Sequence, residues 1–164
     1  MKLRFALIAL CLSAASACVW SQSQPVAPKK PGDAVTLGTI SIKGEVKPGN
    51  SVTAVVQFKI DPGFHVQANP TSEPNFIPAV LRLEPAADVQ WSPPTYPPAK
   101  EEKVQGLEKP LKVYEKTFEI LVPVKIGAKA SLPVRIPAVL SYQACKGPVC
   151  YAPRKLKLEI PIGP

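Results

Sequence analysis

Ser51-Val52-Thr53-Ala54-Val55-Val56-Gln57-Phe58-Lys59-Ile60 decides the architecture. Val52, Ala54, Val56, Phe58 and Ile60 fall on one side of this stretch. Thr53, Val55, Gln57 and Lys59 fall on the other. A period of two marks a β-strand whose sheet is covered on one face. Working outward, Ala34–Ile42 reads as the preceding strand. Val35 and Leu37 share one parity there and Ile40 and Ile42 the other, so a bulge at Gly38 would restore the register. Lys47-Pro48-Gly49-Asn50 is a turn by composition, and Asp61-Pro62-Gly63 turns the chain again.

Beyond that turn, Phe64 to Pro70 enters a connection punctuated by Pro70, Pro74 and Pro78. Ala79–Glu84 is a short strand with Leu81 and Leu83 inward, and Val89–Ser92 a second with Trp91. Pro93 to Pro98 is a stiff extended piece. Lys100–Lys112 is charged and aperiodic and reads as a long loop. Val113–Ile126 reads as one long strand in which Pro123 demands an edge or a bulge. Ser131–Tyr142 follows, with Val134, Ile136, Ala138, Leu140 and Tyr142 in one row. Arg154–Ile162 closes the chain, with Leu156, Leu158, Ile160 and Ile162 inward and Lys155, Lys157 and Glu159 outward. The 21 prolines, spread between these segments, oppose long helices. Seven or so short strands in 164 residues predict a single all-β domain, an immunoglobulin-like antiparallel β-sandwich.

The first residues have a different character. Lys2 and Arg4 precede an apolar run from Phe5 that ends in Ala15-Ser16-Ala17, the pattern of a cleaved signal peptide over residues 1–17. The run is too short to span a bilayer. Cys18 follows at once, which makes it a candidate lipidation site and membrane tether, although Ala15 stands where lipoprotein sites usually carry Leu or Val. Residues 18–33 are rich in Ser, Gln, Pro and Lys and read as a flexible linker. The domain is then 34–164. Removing Lys2 and Arg4 lowers the net charge from +8 by two, to +6. The remaining basic residues are scattered among acids with no aromatic-interleaved stripe, so no nucleic-acid partner is expected.

Export leaves Cys145 and Cys150 as the cysteines of the folded part, in a compartment where they can pair. They lie in Tyr142-Gln143-Ala144-Cys145-Lys146-Gly147-Pro148-Val149-Cys150-Tyr151-Ala152-Pro153, between two alternating segments. The stretch predicts a hairpin tied, or reversibly tied, by the two sulfurs and lying near the surface. By parity Tyr142 points inward, and Gln143 and Cys145 point the other way. Closing a loop of six residues constrains the unfolded chain by only about 2 kcal/mol. Two readings stay open: a reactive disulfide, and a staple in a non-catalytic β-sandwich that binds or supports other proteins. Four intervening residues, a proline and no helix speak against a thioredoxin-type Cys-x-x-Cys site. His65, the only histidine, together with Cys-x4-Cys matches no common zinc spacing, so no metal or cofactor is expected, and His65 is read as structural.

Tyr142-Gln143-Ala144-Cys145, followed by Cys150-Tyr151-Ala152-Pro153 and a closing Leu-x-Leu-x-Ile-Pro strand, resembles the N-terminal periplasmic domain of the thiol:disulfide interchange protein DsbD. Gly63-Phe64-His65-Val66 and Ser72-Glu73-Pro74 with Phe76-Ile77-Pro78 resemble stand-alone relatives of that domain. The likeness covers roughly residues 34–162. It implies an immunoglobulin-like sandwich with an inserted Cys-containing hairpin. It implies that Cys145 and Cys150 are a redox pair, with Cys150 attacked by the donor, and that Tyr142, Gln143 and Tyr151 shape the site. The implied donor is a thioredoxin-like domain or a DsbD/CcdA-type membrane electron carrier, a separate protein since the sequence stops at Pro164. The implied recipients are periplasmic thiol-disulfide client proteins, such as disulfide isomerases or cytochrome c maturation factors. The family's cysteines lie under a cap loop bearing an aromatic residue. Here the cap would be Lys100–Lys112, with Val104 or Leu107 beside Gly106 in place of the aromatic.

Overall fold

The computed structural model describes residues 30–103 and 109–163. Among them there are twelve strands and no helix: β1 (Val35–Lys43), β2 (Ser51–Ile60), β3 (His65–Gln67), β4 (Val80–Leu83), β5 (Val89–Trp91), β6 (Lys100–Glu102), β7 (Leu111–Glu115), β8 (Thr117–Ile126), β9 (Val134–Tyr142), β10 (Ala144–Lys146), β11 (Val149–Cys150) and β12 (Arg154–Ile162). They form three antiparallel sheets, ordered β1-β2-β8-β5, β12-β9-β4 and β11-β10-β3-β7-β6. The first two face each other as the immunoglobulin-like sandwich expected from the alternation. The third carries the cysteine hairpin on one edge.

The strand patterns explain the layers. In β2 Ala54, Val56 and Phe58 are fully buried, and in β8 so are Ile120, Val122 and Ile126. From the opposite sheet Ile136, Leu140, Ile160 and Ile162 join the same cluster. Fully burying each such side chain stabilises the fold by roughly 1.5–3 kcal/mol. Phe58, Phe118 and Tyr114 continue the core toward the third sheet, with ring centroids 5.2 Å and 4.8 Å apart in successive pairs.

The register shift in β1 falls where expected. Leu37 faces Phe58 and Ile40 faces Val56, so three steps on β1 match two on β2, with Gly38 inside the bulge. It turns Ile40 and Ile42 back to the core and leaves Leu37 exposed.

Three features depart from the sequence reading. Val113–Ile126 is two strands, because Lys116 adopts φ 57° and its carbonyl accepts a hydrogen bond from Ile60 N at 2.7 Å. A left-handed residue cannot continue a strand, so β7 leaves for the third sheet while β8 stays in the sandwich. Pro123 sits inside β8, at neither an edge nor a bulge. Its carbonyl accepts from Ser92 N, just past the last register pair of β5, so the one reciprocal bond a proline cannot donate falls at the end of that short strand. Finally, His65–Gln67 and Lys100–Glu102, read as connection and loop, are β3 and β6, flanking β7.

Candidate functional site: the Cys145–Cys150 hairpin

β9 and β12 pair without interruption from Val134↔Ile162 to Tyr142↔Arg154. After Tyr142 the chain leaves that sheet. Gln143 bridges the gap, its Nε2 donating to Tyr151 O at 3.1 Å. β10 then pairs with β3 on one side and β11 on the other. Gly147 and Pro148 make the two-residue turn between β10 and β11. Gly147 has φ 54° and Pro148 has φ fixed near −65° by its ring, the combination of a II′ hairpin turn. Lys146↔Val149 closes that turn and Tyr151 N bonds Ala144 O at 2.9 Å. Cys145↔Cys150 lies between them, where cross-strand side chains approach most closely. Their Cα atoms are 4.0 Å apart and the sulfurs are bonded.

The two cysteines differ in access. Cys145 is fully buried and Cys150 is exposed, on the edge strand of its sheet. The sequence reading placed the pair near the surface, and that holds for Cys150 alone. β10 lies against β3, whereas among the described strands β11 pairs with β10 alone.

Alternation gives this sheet two unlike faces. Val66, Tyr114 and Ala144 point into the core. On the same side at the sheet edge Phe64 meets Tyr151 at 5.8 Å between ring centroids, and Lys146 Nζ stands 5.6 Å from the Phe64 ring. Tyr151 is further held from behind: a Cβ at Gly32, which has φ 86°, would come within 2.7 Å of Tyr151 Cβ. The Gly32 turn is fixed by Arg154, which donates to Pro31 O at 2.6 Å and pairs with Asp33 at 3.1 Å.

The other face carries the sulfurs. Register aligns Cys150, Cys145, His65 and Glu115 in one row across β11, β10, β3 and β7. Gln67 lies two residues along β3 from His65, and its Nε2 donates to Cys145 Sγ at 3.8 Å. His65 and Gln67 are both buried. His65 Nδ1 faces Glu102 Oε2 at 3.7 Å, beyond hydrogen-bonding range. A groove of about 570 Å³ runs beside the hairpin turn, between Asp61–His65, Glu102, Glu115–Thr117 and Gly147.

Of the residues singled out from sequence, the structure brings Cys145, Cys150, Gln143 and Tyr151 together. Tyr142 is a core residue at the foot of the hairpin. Burial pushes its hydroxyl above the ordinary tyrosine range, against the pull of backbone hydrogen bonding from Val35. Val104, Gly106 and Leu107 of the expected cap, and Cys18, lie outside the described residues. Gln67, Phe64 and Glu102 were not identified as site residues, and His65 was read only as structural. The alternation His65-Val66-Gln67 was the available signal, hidden by the prolines that follow.

The fold and this site define a β-sandwich with a disulfide-bearing hairpin at one edge. Residues 38–161 match the family described as thiol:disulfide interchange protein DsbD, N-terminal, and the chain belongs to that family. It is similar to the Neisseria meningitidis DsbD N-terminal domain in the reduced form, at 22% identity and TM-score 0.47, over 80% of this chain and 88% of that one. It is similar to the N-terminal periplasmic domain of ScsB from Proteus mirabilis, at 15% identity and TM-score 0.48, over 80% of this chain and 48% of that one. A structure of the complex between the DsbD and PilB N-terminal domains from Neisseria meningitidis matches at 22% identity and TM-score 0.46, over 80% and 85%. No curated protein sequence matches the chain.

Proposed function

We propose that this is an exported, periplasmic thiol–disulfide exchange domain that relays two electrons through Cys145–Cys150. The donor is a thioredoxin-like domain or a DsbD/CcdA-type membrane carrier, and the recipients are periplasmic proteins with reducible disulfides. Family membership supports the exchange chemistry. The observation that carries the relay is the asymmetry of the pair: Cys150 exposed on an edge strand, Cys145 enclosed behind it. Exchange requires a thiolate to reach one sulfur in line with the other.

In the first step a partner thiolate bonds to Cys150 Sγ. The Cys145–Cys150 bond breaks, and its electron pair stays on Cys145 Sγ. A second partner thiol then attacks the partner's own sulfur, releasing Cys150 with that thiol's proton. Cys145 takes a proton from solvent. The partner leaves as a disulfide and the hairpin as a dithiol. Reduction of a client runs the same steps in reverse, with Cys150 attacking and Cys145 resolving.

The test is covalent trapping in a periplasmic extract containing a thioredoxin-like protein in its disulfide form, whose S–S bond is open to attack by a lone Cys150 thiolate. Cys145→Ser leaves the accessible sulfur unresolved and accumulates a mixed disulfide through Cys150, whereas Cys150→Ser accumulates none. Equal absence of adducts from both variants would mean that the disulfide is a staple.

A further inference from the structure

Cys145 shares its enclosed face with an unusual set of polar atoms. Gln67 Oε1, His65 Nε2 and Glu102 Oε2 are all buried and, among the described residues, none has a hydrogen-bond partner. Native proteins leave few buried polar atoms unpaired, because each costs free energy. Three within one short stretch of sheet, on the side that holds the sulfur, call for a physical reason. Gln67 is completely buried, and its amide nitrogen rests on Cys145 Sγ at 3.8 Å. A disulfide sulfur is a weak acceptor, so this contact offsets little of the cost of burying an amide.

The contact gains strength once the disulfide opens. The electron pair of the broken bond lands on Cys145 Sγ, the sulfur that is shut away from water. A buried thiolate without a donor is strongly disfavoured. A hydrogen bond to a charged acceptor is about twice as strong as one between neutral groups.

Resting on the exchange reading above, we propose that Gln67 is a catalytic residue: its Nε2–H receives the charge that develops on Cys145 Sγ as the bond to Cys150 breaks. His65, directly across from Cys145 in the register, lines the same polar enclosure. No co-reactant is needed beyond the partner thiolate.

The experiment uses the full chain and dithiothreitol as the reductant. Gln67→Met keeps the length of the side chain and removes the donor. Gln67→Asn keeps the amide but withdraws it by one methylene. Each folded variant should be reduced about tenfold more slowly than wild type, the scale of a lost hydrogen bond to a charged group. In the reduced protein the titration of the Cys145 Cβ chemical shift should move upward by about one pH unit. A folded variant whose Cys145 titration matches wild type overturns the proposal whatever its rate. If neither variant folds, wild type decides: the Gln67 side-chain amide resonances must shift with the midpoint of Cys145, and independent behaviour overturns the proposal. None of these readouts needs a protein partner. A wild-type domain that traps no partner would therefore count against the relay while leaving the role of Gln67 to be judged by titration.

Discussion

The segment from Val134 to Ile162 is one excursion of the chain held by two different kinds of physics. β9 and β12 share nine register pairs and bury Ile136, Leu140, Ile160 and Ile162 in the common core. β10 and β11 share two register pairs and one covalent bond, and their outer strand is exposed. The first part is a foundation and the second is a working tip. Because the tip belongs to a different sheet, its bond can open without loosening the ladder beneath it. Under the proposed relay, that separation would let a protein of marginal stability open and close a covalent cross-link.

Breaking the foundation should have the largest effect. Ile160→Ala removes a fully buried side chain and should cost about 2–5 kcal/mol in denaturant unfolding. Reducing the disulfide in the wild type should cost only about 2 kcal/mol, the loop-entropy value for so short a ring. A loss on reduction larger than that of Ile160→Ala would mean that the cross-link, and not the sandwich core, dominates stability.

The smallest effect sharpens the same contrast through pH. Burial raises the folded-state hydroxyl pKa of both Tyr142, at the foot of the hairpin, and Tyr114, on β7 beside β3. The neutral form is favoured in the folded chain, whereas the unfolded chain ionises near pH 10. The folded state then binds more protons, so this contribution is present below pH 10 and lost as the pH rises through the folded values. Denaturant unfolding across pH should show the stability of the oxidised protein falling above about pH 10, and the same tyrosine contribution should be lost in the reduced protein, where the cysteine thiols add a titration of their own. A loss confined to the oxidised form would tie them to the tip instead.

The foundation was legible in the sequence and the tip only partly so. Ser51–Ile60 and Arg154–Ile162 alternate because one face is buried along the whole strand, and period-two patterning reports that burial directly. The Gly38 bulge was legible because the parity of the apolar residues changes across it. The parity of Tyr142 and Cys145 was also readable: Tyr142 and Ala144 face the core and Cys145 faces away. What parity could not reveal is that the far face is enclosed too, so that Cys145 is buried there. The residues that share that face come from β3, β6 and β7. β3 has three residues, one a histidine, beside a proline-rich connection, and β6 is Lys-Glu-Glu. Neither is long or apolar enough to show a period. Gln67 became a site residue only when tertiary pairing set β3 against β10. The break at Lys116 was equally hidden, since a left-handed lysine leaves no mark on hydrophobic patterning.

The central claim is that Cys145–Cys150 cycles. Its most direct test is the reduction potential of the pair, measured by equilibrating the purified chain with glutathione. The account predicts a value between about −180 and −250 mV, within reach of periplasmic exchange partners. A value below about −300 mV would mark a structural disulfide and contradict the relay.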